Sequence, residues 1–192
     1  MDEVTDAARP AGRVSKVLIA GPVGVGKTTA TRAASDVPVL HTEARPSDAV
    51  RELKSGTTVA MDFGVLRLDA GHVVHLYGTP GQRRFDFMWE ILSSGGAGAV
   101  ILVDGSSPAE PAETLEGYIG AFAALAERGR VALGVTRLAR PGRRGLEPWH
   151  RELERRGLRL PVFEADPRVR RDVETLVRGA LAPRGDAPGP SR

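Results

Sequence analysis

Gly21-Pro22-Val23-Gly24-Val25-Gly26-Lys27-Thr28 fits G-x-x-x-x-G-K-[ST], the phosphate-binding P-loop pattern. The apolar run Val17-Leu18-Ile19-Ala20 precedes it, and Thr29-Ala30-Thr31-Arg32-Ala33-Ala34 follows with helix-forming character. Strand, loop and helix N-terminus are the three parts the motif requires. A phosphate chain must be met by several backbone N–H groups at once, and a Cβ at Gly21, Gly24 or Gly26 would obstruct the turn or the ligand. A helix starting near Lys27 adds unpaired N–H groups and a positive dipole end. Lys27 then reaches the β- and γ-phosphates as a point charge, the Thr28 hydroxyl suits a Mg²⁺ ligand, and Val25 and Thr29 complete the expected contacts.

Outward from this motif the chain alternates strands and helices. Strands are predicted at 15–20, 58–69, 73–77, 99–103, 131–135 and 160–163, with a hairpin turn at Asp69-Ala70-Gly71. Helices are predicted at 27–35, in the later part of 83–92, and at 108–128, 146–156 and 168–181. The stretch Asp36–Gly56, with Pro38 and Pro46, reads as a long connection with at most a short helix at Asp48–Lys54. This order implies a doubly wound α/β sheet of six strands, mostly parallel, with one antiparallel strand from the hairpin. Ligands on such sheets bind beyond the carboxyl ends of the strands. The P-loop, Gly78–Gln82, Thr136–Arg140 and Ala165–Arg168 all fall on that rim.

With 192 residues the chain predicts one domain at 14–182, with disordered tails at 1–13 and 183–192. Its apolar (41%) and charged (27%) fractions are those of a soluble globular protein. No apolar run reaches transmembrane length, and the acidic N-terminus (Asp2, Glu3, Asp6) predicts no secretory leader. The lack of cysteine excludes disulfides and thiolate metal sites, and a cytoplasmic location is expected. The net charge of +3 is carried almost wholly by arginine, since lysine occurs only at Lys16, Lys27 and Lys54. The arginines crowding the C-terminal third could face nucleic acid, anionic lipid or an acidic partner. Without interleaved aromatics or a nucleic-acid motif, a solvated surface is the simpler reading.

Three stretches together resemble the small Ras-like GTPases: the P-loop, Thr57-Thr58-Val59-Ala60-Met61-Asp62-Phe63-Gly64, and Leu76-Tyr77-Gly78-Thr79-Pro80-Gly81-Gln82-Arg83-Arg84-Phe85. The last is similar to the switch II pattern Asp-Thr-Ala-Gly-Gln-x-Arg-Phe. The closest resemblance is to the bacterial branch related to the gliding protein MglA and to GTP-binding proteins that accompany roadblock-domain partners. It covers about residues 15–181 and implies GTP or GDP with Mg²⁺ as ligands, and a roadblock-like activator and a switch-binding effector as partners. By position it makes Thr58 the switch I threonine that completes the Mg²⁺ shell, Gly81 the γ-phosphate reporter and Gln82 the residue orienting the attacking water. Thr136 and Arg137 match the start of the base-recognition loop.

The departures are as informative. Gly78 stands where the family places a Mg²⁺-holding aspartate; Asp62 and Asp104 are nearby carboxylates that read better as strand-end residues. Ala139 replaces the aspartate that accepts from guanine N1–H and N2–H₂. Pro167 falls where a backbone N–H should meet guanine O6, and proline has none. No arginine finger is evident in the chain, with Arg83 and Arg84 candidates only by proximity. The leading expectation is therefore a slow GTP-hydrolysing switch. The alternative is a regulatory module that holds GTP or ATP with little turnover. A metabolic P-loop kinase fits less well, because such enzymes need an arginine-bearing lid and an acceptor pocket.

Overall fold

Hydrophobic patterning places the centre of the fold at a strand with no polar face. The computed structural model describes residues 13–44, 59–79, 98–107, 111–138 and 145–182. In chain order its elements are β1 (Val14–Ala20), α1 (Lys27–Ala34), β2 (Leu40–Ala44), β3 (Val59–Arg67), a 3₁₀ turn (Asp69–Gly71), β4 (Val73–Gly78) and β5 (Gly98–Asp104). There follow α2 (Pro111–Ala121), α3 (Ala123–Glu127), β6 (Val131–Thr136), α4 (Glu147–Arg155), β7 (Val162–Glu164) and α5 (Arg170–Leu181). The strands form one seven-stranded sheet in the order β2-β3-β4-β1-β5-β6-β7. β1 and β5 lie side by side near its middle and are almost wholly buried, as continuous apolar runs covered on both faces must be.

Alternation sorts the side chains of these strands into two cores. Leu18 and Ala20 of β1 join Ile101 and Val103 of β5 beneath Leu115, Phe122, Trp149 and Leu153 of the α2–α4 layer. Val17 and Ile19 point the other way, with Val100 and Leu102, onto Ala30 and Ala34 of α1 and Val173, Leu176 and Val177 of α5. Each fully buried Leu or Ile contributes about 1.5–3 kcal/mol, so the two-sided burial of β1 and β5 anchors the loops that leave their carboxyl ends.

The sheet is α/β and mostly parallel, as expected, with one strand more than the sequence reading gives. The additional strand is β2, inside the stretch read as a long connection. It pairs antiparallel with β3 in the register Leu40↔Phe63 through Ala44↔Val59. Because β3 is antiparallel to both β2 and β4, it alone runs against the rest of the sheet. The expected hairpin forms through Asp69–Gly71, where Gly71 takes φ 75° and Leu68 N–H donates to His72 O at 2.8 Å.

Three boundaries differ for local reasons. The helix expected over 108–128 is divided at Phe122, whose φ/ψ of −107/20 leaves the α region just beyond Gly117 and Gly120, both weak helix formers. The last strand begins at Val162, after Pro161, whose nitrogen cannot donate and whose carbonyl alone joins the sheet by accepting from Leu133 N–H at 2.9 Å. α5 begins at Arg170 because Asp166 takes up the N–H and guanidinium of Arg168 in a tight turn.

Much of the C-terminal arginine content is used inside the chain. Arg155 and Arg156 both bind Glu152, Arg170 bridges Asp36 and Glu174, and Arg178 reaches Asp69. Hydrogen bonds from Arg155 hold the Glu152 carboxyl down at about 2, helped by Arg156 and against partial burial. Among the described residues no helix is long and apolar enough to cross a membrane. Of the tail expected at 1–13 all but Arg13 lies outside the described residues, as do the tail at 183–192, the possible helix at 48–54 and the helix expected within 83–92.

Candidate functional site

Five parallel strands, β1 and β4–β7, bring their carboxyl ends to one rim, and the P-loop leaves the rim from β1. Its glycines adopt φ values that other residues rarely take: 140° at Gly21, 78° at Gly24 and 108° at Gly26. Two of them are also pressed by neighbours. A Cβ on Gly21 would stand 2.2 Å from Leu102 O on β5, and one on Gly26 would stand 2.7 Å from Pro167 Cγ. Gly26 is the N-cap of α1, with no side-chain cap and no acidic residue in the first turn. The first N–H groups of the helix are thus left for a ligand, and an anion is the ligand they favour.

Lys27 is 9% exposed. Its Nζ donates to Gly21 O at 2.9 Å and Pro22 O at 2.7 Å, which folds the side chain back over the loop. Burial pulls its ammonium down to about 8, while the negative charge of Asp62 works in the opposite direction. An amine placed this way gains by meeting phosphate oxygens, because they supply the charge that burial denies it. Thr28 and Thr29 are exposed at the head of α1.

The antiparallel course of β3 carries Asp62 onto this rim, directly opposite Gly78. A Cβ on Gly78 would meet Asp62 Cβ at 3.0 Å, Asp62 Oδ2 at 3.2 Å and Thr31 Oγ1 at 3.1 Å. The carboxylate of Asp62 therefore fills the space that a side chain at 78 would use. Arg32 Nη2 lies 2.5 Å from His41 Nε2, and His41 Nδ1 lies 2.6 Å from Asp62 Oδ1. As arginine can only donate, Nε2 accepts and Nδ1–H donates to Asp62. The reading of Asp62 as a mere strand-end residue misses this placement. Mg²⁺ usually keeps several waters and takes one or two carboxylates besides phosphate oxygens, and the Thr28 hydroxyl with Asp62 fits that donor set. When bound, such an ion would draw charge from the phosphates.

Asp104, the other nearby carboxylate, is engaged elsewhere. It accepts from Ser106 N–H at 2.8 Å and pairs with Arg137 Nη1. Burial opposes its ionisation, but the Ser106 and Arg137 bonds outweigh that and hold its pKa below the usual range. Arg137 takes φ 60°, unusual for a non-glycine residue, and its Nη2 donates to Gly24 O at 2.7 Å. It thus ties the loop after β6 to the P-loop. Thr136 is fully buried and its hydroxyl donates to Val103 O at 3.1 Å.

A cleft of about 750 Å³ opens beside the P-loop, floored by Gly24–Gly26 and walled by 136–138 and 164–168. This is within the size range of small-ligand sites. Gly24, Val25, Gly26, Thr29, Thr136 and Arg137 line this cleft, and Gly21, Lys27 and Thr28 belong to the P-loop and the head of α1 beside it. Thr58, Gly81, Gln82 and Ala139 lie outside the described residues. Glu164 and Asp172, which also line the cleft, were not anticipated, since single acidic residues carry no motif.

Residues 39–131 match the family model described as conserved hypothetical ATP binding protein, a stretch that begins after the P-loop. Over 92 residues the chain is 34% identical to the uncharacterised protein MJ1339 of Methanocaldococcus jannaschii, covering 47% of this chain and 51% of that protein. The chain therefore spans about half the length of this curated relative. The G domain of the T. maritima FeoB iron transporter superposes with a TM-score of 0.58 at 17% identity, over 88% of this chain and 98% of that one. The cytosolic domain of the same transporter in GDP form gives 0.60 at 17% identity, over 88% and 63%. That of L. pneumophila FeoB gives 0.54 at 15% identity, over 86% and 67%. The chain has the P-loop nucleotide-binding fold of GTPase G domains.

Proposed function

We propose that this chain is a nucleotide-dependent switch of the Ras-like kind, a slow hydrolase of GTP acting in the cytoplasm. The observation that carries the proposal is the buried Lys27 ammonium, held by Gly21 O and Pro22 O at the mouth of an uncapped helix N-terminus. Phosphate oxygens would draw Nζ off these carbonyls onto the β- and γ-phosphates, and the N–H groups of Gly24–Thr28 would line the chain. Thr28 and Thr58 would hold Mg²⁺ and Gln82 would orient water. Thr58 and Gly81 would couple the γ-phosphate to the two switch segments, where a roadblock-like activator and an effector would bind. Glycerol-free single-turnover assays with Mg²⁺ and GTP test the chemistry. Cleavage slowed at least about tenfold in Gln82→Ala supports the role of Gln82, and an unchanged rate removes it.

A second reading, a regulatory module that binds nucleotide with little turnover, is favoured by Gly78 and Pro167. The first removes an aspartate from the end of β4, and the second removes a donor from the base cleft. Gel-filtered protein that retains triphosphate uncleaved over hours would favour this reading over a hydrolase.

A further inference from the structure

A row of three residues crosses the sheet beside the P-loop. His41 of β2 lies directly opposite Asp62 of β3, and Asp62 lies opposite Gly78 of β4. Glycine at 78 leaves open the space into which the Asp62 carboxylate extends, with Oδ2 3.2 Å from where a Cβ would stand. Oδ1 is the oxygen engaged by β2, and it accepts from His41 Nδ1–H at 2.6 Å. The other ring nitrogen of His41, Nε2, accepts from Arg32 Nη2 at 2.5 Å. Thr31 borders the same space, but its hydroxyl is spent on Lys27 O at 3.1 Å. The charge of Asp62 reaches Lys27, where it favours the ammonium.

We infer that His41 is a positioning residue for the P-loop site: its Nδ1–H pins the Asp62 carboxylate so that Oδ2 is presented toward the Mg²⁺ that accompanies a bound nucleotide, and Arg32 sets the imidazole tautomer that makes this possible. The inference rests on the nucleotide reading above. The terminal torsion of an aspartate is broad, so an unpinned carboxylate would turn away from the site for part of the time. A hydrogen bond to one oxygen removes that freedom before the ligand arrives. Which nitrogen of a histidine carries the proton is set by the bond that the other nitrogen makes. A guanidinium has only donors, so with Arg32 at Nε2 the proton is left on Nδ1, where Asp62 accepts it. Partners that orient a metal's carboxylate in this way commonly govern how tightly the ion is held. The strand that the hydrophobic pattern does not reveal, β2, thereby has a role at the site: it delivers the imidazole.

The side chain of His41 is 54% exposed on an edge strand, so its replacement should leave the fold intact. Two measurements test the inference, the first with no ligand present. In the nitrogen NMR spectrum of the histidine-labelled full chain at about pH 8, above the ordinary histidine range, His41→Asn identifies the His41 signal among those of the four histidines. His41 is expected as the tautomer protonated at Nδ1, and Arg32→Ala should depopulate that form. Protonation at Nε2 in the wild-type chain, or a tautomer indifferent to Arg32→Ala, would overturn the inference. The second measurement is Mn²⁺ binding, followed by electron paramagnetic resonance, to the full chain holding a non-hydrolysable GTP analogue. His41→Ala is expected to weaken the ion at least about threefold. His41→Asn, whose amide can donate from nearly the same place as Nδ1, should restore it to within about twofold of wild type. Equal affinity in His41→Ala would overturn the inference. So would a His41→Asn protein as weak as His41→Ala, which would reduce the residue to shaping β2. Mn²⁺ held no tighter by the wild-type complex than by the free analogue would overturn the Mg²⁺-nucleotide reading, and the inference with it, whatever the tautomer.

Discussion

The two halves of the cleft are built on different principles. The phosphate half is made of backbone: positive-φ glycines, an uncapped helix start and one lysine folded onto two carbonyls. The other half, where the proposed function puts the base, is made of side chains and committed amides, with Pro167 and Arg137 holding it against the P-loop. Backbone geometry depends on which residues can adopt it, so it is intolerant of change and easy to recognise. Side-chain recognition can be rewritten by single substitutions without disturbing the fold. On the proposed function, the phosphate half would define what kind of ligand enters, and the other half how narrowly it is chosen.

The largest effect should come from breaking the backbone half. Gly21→Ala places a Cβ against Leu102 O while forcing φ 140°, and a loss of about 4 kcal/mol or more is expected, read as a lowered denaturation midpoint. Lys27→Ala should weaken triphosphate binding at least about a hundredfold by calorimetry, with little change in melting temperature, since the ammonium is poorly solvated in the free protein.

The same residue makes the phosphate half sensitive to pH. The Lys27 pKa is lowered to about 8 in the free protein, so the charged form predominates below that value and is lost as pH rises through it. Phosphates bind the charged form, so affinity should fall by up to about tenfold per pH unit above 8 and stay flat below it. Free-protein stability has the opposite sign. Unfolded chains bind the lysine proton up to its ordinary value of 10.5, so this group makes the fold relatively more stable as pH rises from about 8 to 10.5. Titrating affinity and unfolding over the same buffers checks both signs.

A smaller effect is expected between the two halves, at Asp62. Asp62→Asn should reduce the gain in nucleotide affinity on adding Mg²⁺ severalfold. It should also move the alkaline fall in affinity to lower pH, because a charge that supports the Lys27 ammonium is removed. Manganese binding to the nucleotide complex, followed by electron paramagnetic resonance, would show the first change without any turnover.

Legibility in the sequence follows the same division. The P-loop was readable because its parts are contiguous, and the central strands because β5 is apolar without interruption. β2 was not. It is a short edge strand with His41, Thr42 and Glu43 between prolines, and pairing with β3 holds it in place. The approach of Asp62 to Gly78 depends on cross-strand register, which no local pattern encodes. Arg137 and its contacts to Asp104 and Gly24 join residues far apart in the chain, and only the crossover of parallel strands brings them together. Pro167, by contrast, could be read directly, since the consequence of a missing N–H does not wait on the structure.

On the proposed function, Lys27 and the head of α1 form a phosphate site that admits a nucleoside triphosphate with Mg²⁺. Isothermal titration of the full chain with Mg²⁺ and a non-hydrolysable GTP analogue at pH 7 tests it most directly. A single saturable site with a dissociation constant of about 10 µM or tighter, abolished in Lys27→Ala, is the predicted result. No saturable heat at about 1 mM ligand, or equal binding by Lys27→Ala, would contradict it.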